Sequence, residues 1–261
     1  MTTFERRQRV LSLLREQPGI RVPEVAKRLG VSEGTIRNDL NSLAGSGQVS
    51  RVRGGGVFLD EQQSRSPIFT TRVMTHRAAK QSITQQAACL VNDNDSVMLD
   101  SSTTAYYLAC CLKERRDLTV ITNGIESARE LAKNPSNTVI LLGGVLRVDG
   151  TATSVPLSEQ VLDEYHIKTA FVSCSGFTPE GGLTEVDIYE AQIKRRMIAS
   201  SGSTVALIDA SKFGRMDLTV FARTDQITAL FTDNSLSPEW VAKLKQAKVP
   251  FTLCGAKTEP A

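Results

Sequence analysis

Five short polar stretches each follow an apolar segment of the chain, and their residue types suit a small anionic ligand. The first, from Asp100 to Thr104, places a carboxylate and four hydroxyls just before an apolar helical segment. Hydroxyls and the free amides of a helix N-terminus form a cradle for an anion such as phosphate. The stretches, together with Lys194, supply the candidate ligand-binding residues. These are Asp100, Ser101, Ser102, Thr103, Thr104, Thr122, Asn123, Gly124, Gly143, Gly144, Ser175, Gly176, Lys194 and Lys212.

Two lysines in the same half of the chain could supply positive charge to that ligand. Lys194 lies in a helical segment, and Lys212 ends the stretch that begins at Asp209. A lysine ammonium acts as a point charge for an anion, so both are predicted ligand contacts. The neighbouring Arg195 and Arg196 are predicted to be solvated charges on the same helix.

The elements that must position these residues alternate between short apolar strands and helices. This alternation predicts a mostly parallel sheet in an α/β domain. Because ligands bind in crevices at the strand ends of such sheets, the five stretches are predicted to converge on one crevice. The predicted strands are 96–99, 118–121, 138–142, 168–173, 204–208, 227–231 and 251–254, and the clearest helices are 83–90, 102–112 and 187–200.

A different chemistry is indicated near the N-terminus, where two short helices are predicted on either side of Gly30-Val31-Ser32. A tight, glycine-containing turn between helices is typical of a helix-turn-helix, whose second helix enters the major groove of DNA. Residues 48–59 alternate around a glycine run and predict a hairpin wing. The candidate DNA contacts are Ser32, Gly34, Thr35, Arg37, Asn38, Arg51, Arg53, Gly54 and Gly55.

The charge distribution separates the two parts of the chain. Residues 1–58 contain ten Lys or Arg and five Asp or Glu, a net charge of +5, whereas residues 59–261 contain twenty-one and twenty-three, a net charge of −2. A basic segment attached to a near-neutral body is typical of a nucleic-acid-binding module. The alternative is a three-helix protein-interaction module whose arginines are merely solvated.

Composition excludes several classes of protein. Mean hydropathy is −0.14, and no apolar run approaches the roughly 18 residues that a membrane span needs. The polar, basic start of the chain argues against a signal peptide. Five cysteines without C-x-x-C spacing predict free thiols in a reducing cytoplasm, with no disulfide scaffold and no metal site. No cofactor is expected. His76 and His166 are isolated, which favours core or surface roles.

The motifs together resemble the DeoR family of bacterial repressors. The stretch 31–40, VSEGTIRNDL, and the wing 51–56, RVRGGG, are similar to the family's V-S-x-x-T-I-R-R-D-L and R-x-x-G-G-A patterns. Asn38 replaces the usual second arginine, Gly56 a common alanine, and Ser102 a glycine. The larger part resembles the family's sensor domain through LDSSTT at 99–104, TN at 122–123, LGG at 142–144, KR at 194–195 and DASKF at 209–213.

This resemblance implies a winged helix-turn-helix over residues 1–58, a linker over 59–78, and over 79–261 a Rossmann-like α/β domain similar to ribose-5-phosphate isomerase. It further implies a cytoplasmic repressor of a carbohydrate operon that binds a double-stranded operator as a homo-oligomer, a dimer or tetramer, and responds to a phosphorylated sugar. Asp100 would face the sugar hydroxyls and residues 101–104 the phosphate.

Two other readings of the large domain remain open at this point. It could be a sugar-phosphate isomerase that carries a DNA-binding head, although proton abstraction needs a positioned general base. The stretch Ser173 to Gly176 contains no acid, which leaves Asp100, Glu185, Asp187 and Glu190 as candidate bases. Alternatively, the large domain could be a platform for a protein partner, with no affinity for sugar phosphates.

Overall fold

The computed structural model describes residues 2–16, 20–45, 49–52, 55–58, 67–154 and 162–255. The chain divides into two compact units, Met1–Thr70 and Thr71–Ala261. Each unit has its own apolar core.

The first unit contains three helices, α1 (Thr3–Glu16), α2 (Val22–Leu29) and α3 (Glu33–Gly45). Gly30 ends α2 in the left-handed conformation, with φ of 67°, and its N–H donates to the Ala26 carbonyl. This confirms the predicted turn, because glycine adopts that conformation without a steric penalty. Apolar residues at helical spacing fill the core of this unit: Val10, Leu11, Leu14, Ile20, Val22, Val25, Ala26, Ile36, Leu40 and Leu43.

A two-stranded antiparallel hairpin follows α3. Its strands are β1 (Val49–Val52) and β2 (Gly55–Phe58), with Arg51 opposite Gly56 and Val52 opposite Gly55. The sequence predicts that Gly55 and Gly56 lie in the turn, but both belong to β2. A glycine can pair in a strand because the pairing uses only backbone groups. Arg53 and Gly54 lie outside the described residues.

Part of the stretch expected to be a linker is helical. Helix α4 (Pro67–Met74) begins before the boundary between the two units and ends after it, and Phe69 on this helix is buried. Proline suits the first turn of a helix, where its missing N–H has no partner to lose. Helix α5 (Arg77–Ala87) follows and begins six residues before the predicted start at Ile83.

The second unit is built on a seven-stranded parallel sheet. Its central strands are β3 (Ser96–Leu99) and β8 (Ile167–Val172). On one side of β3 lie β4 (Thr119–Thr122) and β5 (Thr138–Leu141). On the other side of β8 lie, in order, β11 (Ser201–Leu207), β13 (Ala229–Asp233) and β14 (Phe251–Cys254). The predicted strands and the α/β class are confirmed, with shifts of one to three residues at most strand ends.

The chain changes direction across this sheet between β3 and β8. It runs outward from β3 to β5, and then returns to β8 and runs outward to β14 on the opposite side. Such a switch point opens a crevice outside the carboxyl ends of the two central strands. Three helices connect or follow these strands, namely α6 (Thr103–Leu112), α7 (Ile125–Leu131) and α8 (Ile188–Ala199), and a fourth, α9 (Pro238–Gln246), precedes β14.

Two small antiparallel sheets were not predicted. One is a hairpin of β6 (Val145–Leu146) and β7 (Thr153–Ser154); the other joins β9 (Gly176–Thr178), β10 (Gly182–Glu185) and β12 (Thr219–Ala222). Their strands are only two to four residues long, which is too short for clear alternation of apolar residues. In the part of the chain that the structure describes, no helix is long and apolar enough to cross a bilayer.

Candidate DNA-binding surface and anion cavity

The start of helix α3 carries the predicted DNA-contacting residues on its exposed side. Ser32 caps the helix, because its hydroxyl accepts a hydrogen bond from the Thr35 N–H at 3.1 Å. The Ser32 and Thr35 hydroxyls are also within hydrogen-bond distance, 2.9 Å. On the opposite side Ile36 and Leu40 are fully buried. The cap and the buried face therefore fix which side of α3 is presented to solvent.

Arg37 and Asn38 are exposed on that presented side. The Arg37 guanidinium donates to Glu33 one turn earlier at 2.7 Å, and its side chain is 57% exposed. Exposed ion pairs of this kind contribute well under about 1 kcal/mol, so Arg37 can exchange Glu33 for a phosphate or a guanine at little cost. Asn38 has the amide geometry that suits adenine.

Gly34 has no steric reason to be glycine. A Cβ placed there would meet only the Ser32 hydroxyl, at 3.7 Å, and its residue is exposed. Glycine costs about 1 kcal/mol relative to alanine inside a helix. The fold of this unit therefore gains nothing from Gly34, which fits a position where another molecule approaches the backbone.

A buried carboxylate orients α3 within the first unit. Asp39 is 2% exposed and accepts from the Arg6 guanidinium at 2.5 Å and from Arg7 at 3.1 Å. Burial alone would raise the pKa of Asp39, but the two arginines outweigh it and hold that pKa below its usual range. Arg6 and Arg7 on α1 therefore pair with Asp39 on α3 and stabilise the packing of these two helices.

The second unit contains a cavity of about 480 Å³ at the carboxyl ends of the central strands. Segments after β3, β8 and β11 line it, as expected at a switch point. The helices α4, α5 and α8 add further residues. Its lining consists of Arg72, Thr75, His76, Lys80, Ser101, Ser102, Thr103, Thr104, Arg147, Ser173, Cys174, Ser175, Glu185, Val186, Asp187, Glu190, Lys194, Asp209 and Lys212.

The N-terminus of α6 lies in this cavity and has the features of an anion cradle. The Ser102 hydroxyl accepts from the Ala105 N–H at 3.0 Å and caps the helix. The N–H groups of Thr103 and Thr104 have no hydrogen-bond acceptor among the described residues. Free amides at the positive end of a helix attract anions. Both threonines line the cavity, so these amides are available to a ligand there.

Lys80, on α5, is the cation in direct contact with this cradle. Its ammonium donates to the Thr103 hydroxyl at 3.1 Å and to the carbonyls of Arg72 at 2.6 Å and Thr75 at 2.8 Å. Burial lowers the pKa of Lys80 to about 8; the nearby Asp209 opposes this shift, whereas Lys212 and Arg72 add to it. No carboxylate lies within ion-pair distance of Lys80 among the described residues.

Lys212 also lines the cavity, as the sequence predicts. It ends a short helical turn that Asp209 caps by accepting from the Ser211 N–H at 3.1 Å. With Lys80 and Arg72 it places three cations near a single carboxylate, Asp209. Lys80, Lys212 and the α6 N-terminus together form the positive end of the cavity.

Asp100 differs from its predicted role because it lies beneath the cavity. It is 0% exposed, and its two oxygens accept from the N–H groups of Ser102 at 3.0 Å and Ser173 at 2.8 Å. The Lys194 ammonium is 3.2 Å away. Asp100 therefore ties the end of β3 to the end of β8, and it is absent from the cavity lining. No oxygen of this buried carboxylate is presented to a sugar.

Lys194, on α8, reaches the cavity wall, but its charge is already compensated. Its ammonium donates to the Ser173 carbonyl at 2.9 Å and to Glu185 at 2.6 Å, in addition to its contact with Asp100. Burial alone would lower the pKa of Lys194, but Asp100, Glu185 and Glu190 outweigh it and raise that pKa above its usual range. Because two carboxylates already compensate its charge, Lys194 positions these carboxylates and offers no uncompensated charge to an anion.

A second charged cluster also lines the cavity. Arg147, from the β6–β7 hairpin, contacts Glu190 at 3.0 Å, Asp187 at 3.2 Å and Asp149 at 3.6 Å. The Ser101 hydroxyl donates to Glu190 at 2.7 Å. Three carboxylates line the cavity here, Glu185, Asp187 and Glu190, and this part is called the acidic end.

Two of the five predicted stretches do not reach the cavity. The hairpin covers the ends of β4 and β5, since the Asn123 amide donates to the Thr153 carbonyl at 3.2 Å and the Thr153 hydroxyl to the Leu142 carbonyl at 2.6 Å. A Cβ at Gly124 would lie 3.1 Å from the Ser101 Cα, so glycine permits close packing there. The predicted residues outside the cavity lining are Asp100, Thr122, Asn123, Gly124, Gly143, Gly144 and Gly176.

Several residues of the cavity were not predicted from the sequence. Arg72, His76 and Lys80 all precede the helix predicted at 83–90, and Arg147 lies three residues after a glycine pair, so the spacing of residues does not mark them as ligand contacts. Cys174 lines the cavity as well, and burial raises the pKa of its thiol, which makes it a poor nucleophile. In the ranges that the structure describes, no group of three or more His, Cys, Asp or Glu side chains is placed so that it could hold a metal ion.

Comparison with known protein families identifies both units. A model of the DeoR-like helix-turn-helix domain matches residues 6–62, and a model of the DeoR C-terminal sensor domain matches residues 75–234. The chain belongs to the DeoR family. The match to the sensor domain spans the segments that line the cavity from Thr75 to Lys212.

Several full-length relatives support the same assignment. The transcriptional regulator GolR of Listeria innocua is 36% identical, and the match covers 97% of this chain and 99% of GolR. The L-fucose operon activator of Haemophilus influenzae is 34% identical over 87% of this chain and 90% of its own. The regulator UlaR of Shigella dysenteriae is 32% identical over 94% and 96%.

Solved structures similar to this DeoR-family chain include ribose-5-phosphate isomerases. One, in complex with phospho-erythronic acid, has a TM-score of 0.38 and 14% identity, and the match covers 51% of this chain and 52% of that one. The δ subunit of eIF2B from Chaetomium thermophilum has a TM-score of 0.43 and 14% identity, with coverage of 62% and 59%.

Proposed function

We propose that this protein represses a carbohydrate-metabolism operon by binding operator DNA through α3 and the wing, and that a phosphorylated sugar in the cavity controls that binding. The single observation that carries the effector assignment is the positive end of the cavity. There, two free amides of α6 and the ammonium of Lys80, whose three hydrogen-bond acceptors are all uncharged, line the same cavity. A dianionic phosphate would accept from the two amides and compensate the charge of Lys80.

The two charged groups of the cavity would orient the sugar. With the phosphate at the positive end, the sugar hydroxyls lie toward Glu185, Asp187 and Glu190, whose oxygens accept hydrogen bonds. The Ser101 and Ser175 hydroxyls lie beside the same carboxylates. The effector can change the free energy of DNA binding only by the difference between its own binding free energies for two arrangements of the protein. This coupling is typically about 1–3 kcal/mol.

The names of the relatives agree with a carbohydrate effector, since one is an L-fucose operon activator. Because a recognition helix reads one half-site, we propose that the protein acts on DNA as a dimer or tetramer, in the cytoplasm and without a cofactor.

The contacts of the carboxylates favour binding over catalysis in this cavity. Glu185 contacts Lys194, and although burial would raise its pKa, Lys194 and Ser175 hold that pKa below its ordinary value. Asp187 and Glu190 are paired with Arg147. A carboxylate stabilised as an anion is a weak general base, which does not suit proton abstraction next to a carbonyl.

The proposed function is tested by a thermal-shift screen of the full chain against phosphorylated sugars, followed by operator binding with each hit. A true effector raises the melting temperature, because a ligand stabilises the state that it binds, and it changes operator affinity. Lys80→Met should weaken the response while leaving operator binding intact, because it removes the cation at the cradle and leaves the first unit unchanged. A response of unchanged strength in this variant contradicts the anion cradle, and a screen without any hit contradicts the effector class.

Operator binding is tested separately with Arg37→Ala. We expect specific binding to be lost, with Arg28→Ala, an arginine of α2 that pairs with Glu24, as the matched control. Affinity should also fall steeply with salt, since phosphate contacts release counterions. Unchanged operator affinity in Arg37→Ala would remove α3 from the interface.

A further inference from the structure

The large apolar side chains that are exposed to solvent are concentrated in three short segments of the second unit. Among the residues that the structure describes, nine of the fourteen lie in the ranges 145–148, 186–189 and 216–220. Single exposed apolar residues are ordinary on a protein surface, but a concentration of them indicates an interaction site. The nine are Val145, Leu146, Val148, Val186, Ile188, Tyr189, Met216, Leu218 and Val220.

Backbone pairing brings the second and third segments together. Strand β10 pairs with β12 so that Glu185 lies opposite Thr219. Val186 and Leu218 are the next residues along these two antiparallel strands, so they are cross-strand neighbours. Val220 lies two residues after Leu218 and therefore shares its side of the strand.

An ion pair joins the first segment to the second. Arg147, in the β6–β7 hairpin, contacts Asp187 at the start of α8 at 3.2 Å. These two side chains lie within the first and second segments, and their opposite charges compensate each other. The three segments therefore adjoin one another, and their nine exposed apolar residues form what is called the apolar patch.

The apolar patch is large enough to support a stable protein interface. Its residues expose on the order of 1,000 Å², compared with roughly 300–600 Å² for the largest apolar patch of a typical monomer. An interface of standard size buries about 800 Å² on each partner. The patch matches that requirement without any contribution from polar residues around it.

The composition of the apolar patch favours a second copy of this chain over a different protein. Interfaces that form transiently between different proteins are about as polar as the rest of the surface, whereas those between identical subunits are more apolar. Besides Tyr189 and Met216, residue types that are enriched at interfaces, the patch contains only aliphatic residues. In a two-fold symmetric dimer the same surface contacts itself, and an apolar surface is complementary to itself without matching charges.

We propose that two copies of this chain associate about a two-fold axis through the apolar patch. This inference rests on the proposed function in one respect, the need for two copies on one operator, and it assigns the surface through which the copies meet. Leu218, which is 75% exposed in the single chain, becomes buried against the partner.

Sedimentation velocity of the full chain, without DNA or effector, tests the proposal. The native chain should sediment as a dimer or a tetramer at micromolar concentration. Leu218→Glu should halve the size of the assembly and raise its dissociation constant at least a hundredfold, because in a symmetric dimer the new charge enters the apolar interface twice.

A second variant and a matched control identify the surface. Ile188→Glu should dissociate the assembly as well, and it should fold because an acidic residue in the first turn of α8 stabilises that helix. Leu253→Glu, on β14 and outside the patch, changes a leucine that is also exposed and should leave the assembly intact. Melting curves verify that the variants fold.

Two results overturn the proposal. One is a native chain that is monomeric at these concentrations. The other is an assembly that persists in Leu218→Glu and Ile188→Glu as it does in Leu253→Glu, since the copies would then meet elsewhere. Because the measurement contains neither DNA nor effector, it is independent of the proposed function, and a chain that associates through the patch but binds no operator contradicts the proposed function alone.

Discussion

Lys80 makes effector binding dependent on pH in a range where a phosphate monoester keeps a constant charge. The second pKa of such an ester is about 6, so it is a dianion above pH 7. Lys80 in the free protein has a pKa of about 8. As the pH rises through 8, the ammonium loses its proton, and the cradle loses the cation that touches Thr103.

The size of the effect follows from that pKa. At pH 7 about nine-tenths of Lys80 is protonated, and at pH 9 about one-tenth is. A bound dianion holds the proton and raises the pKa of Lys80, so affinity should follow the protonated fraction and fall about tenfold from pH 7 to pH 9. That fall corresponds to about 1.4 kcal/mol of binding free energy. Calorimetric titration with the best-binding monophosphate at pH 7, 8 and 9 measures it.

Two methionine variants separate Lys80 from the rest of the positive end. Lys80→Met should bind weakly at every pH and show no slope, because the titrating group is gone. Lys212→Met should bind more weakly than the native chain but keep the slope. Melting curves verify that both variants fold. An affinity that stays constant from pH 7 to pH 9 in the native chain, or a slope that survives in Lys80→Met, refutes the reasoning.

Three further substitutions give distinct expectations. Gly34→Ala should raise the stability of the first unit by about 1 kcal/mol, measured by thermal denaturation, and should weaken operator binding. Operator binding that is equal or stronger would show that no DNA approaches the backbone at this position. Asp39→Ala should destabilise the first unit by roughly 3 kcal/mol, because Arg6 and Arg7 would lose the carboxylate with which they pair. A loss of stability below about 0.5 kcal/mol, measured by chemical denaturation, would contradict that role. Asp100→Ala should destabilise the second unit by several kcal/mol in the absence of any ligand, whereas a residue that only contacts the sugar would change ligand affinity alone.

The sequence predicts the role of a residue best where the residues that it contacts lie in the same short segment. The turn at Gly30 and the helix predicted over 102–112 each depend on residues within a short segment, and both are present in the structure. The parallel sheet was also predictable, because its buried strands are continuous apolar runs that alternate with helices.

Prediction was weaker where a role depends on distant parts of the chain. Asp100 is followed by hydroxyls that suggest ligand contact, but its orientation is set by the N–H of Ser173 and by Lys194, far along the chain. Thr122 and Asn123 end a strand like the others, yet a later hairpin covers them. Lys80 looks like any helix-face lysine until the fold places it against Thr103.

The hydrogen bonds of Lys80 have one more consequence, which concerns the start of the second unit. The carbonyls of Arg72 and Thr75 that accept from Lys80 belong to the last turn of α4 and the residue just after it. The same ammonium donates to the Thr103 hydroxyl at the start of α6. An anion at the α6 N-terminus would therefore compete with the end of α4 for the hydrogen bonds of Lys80.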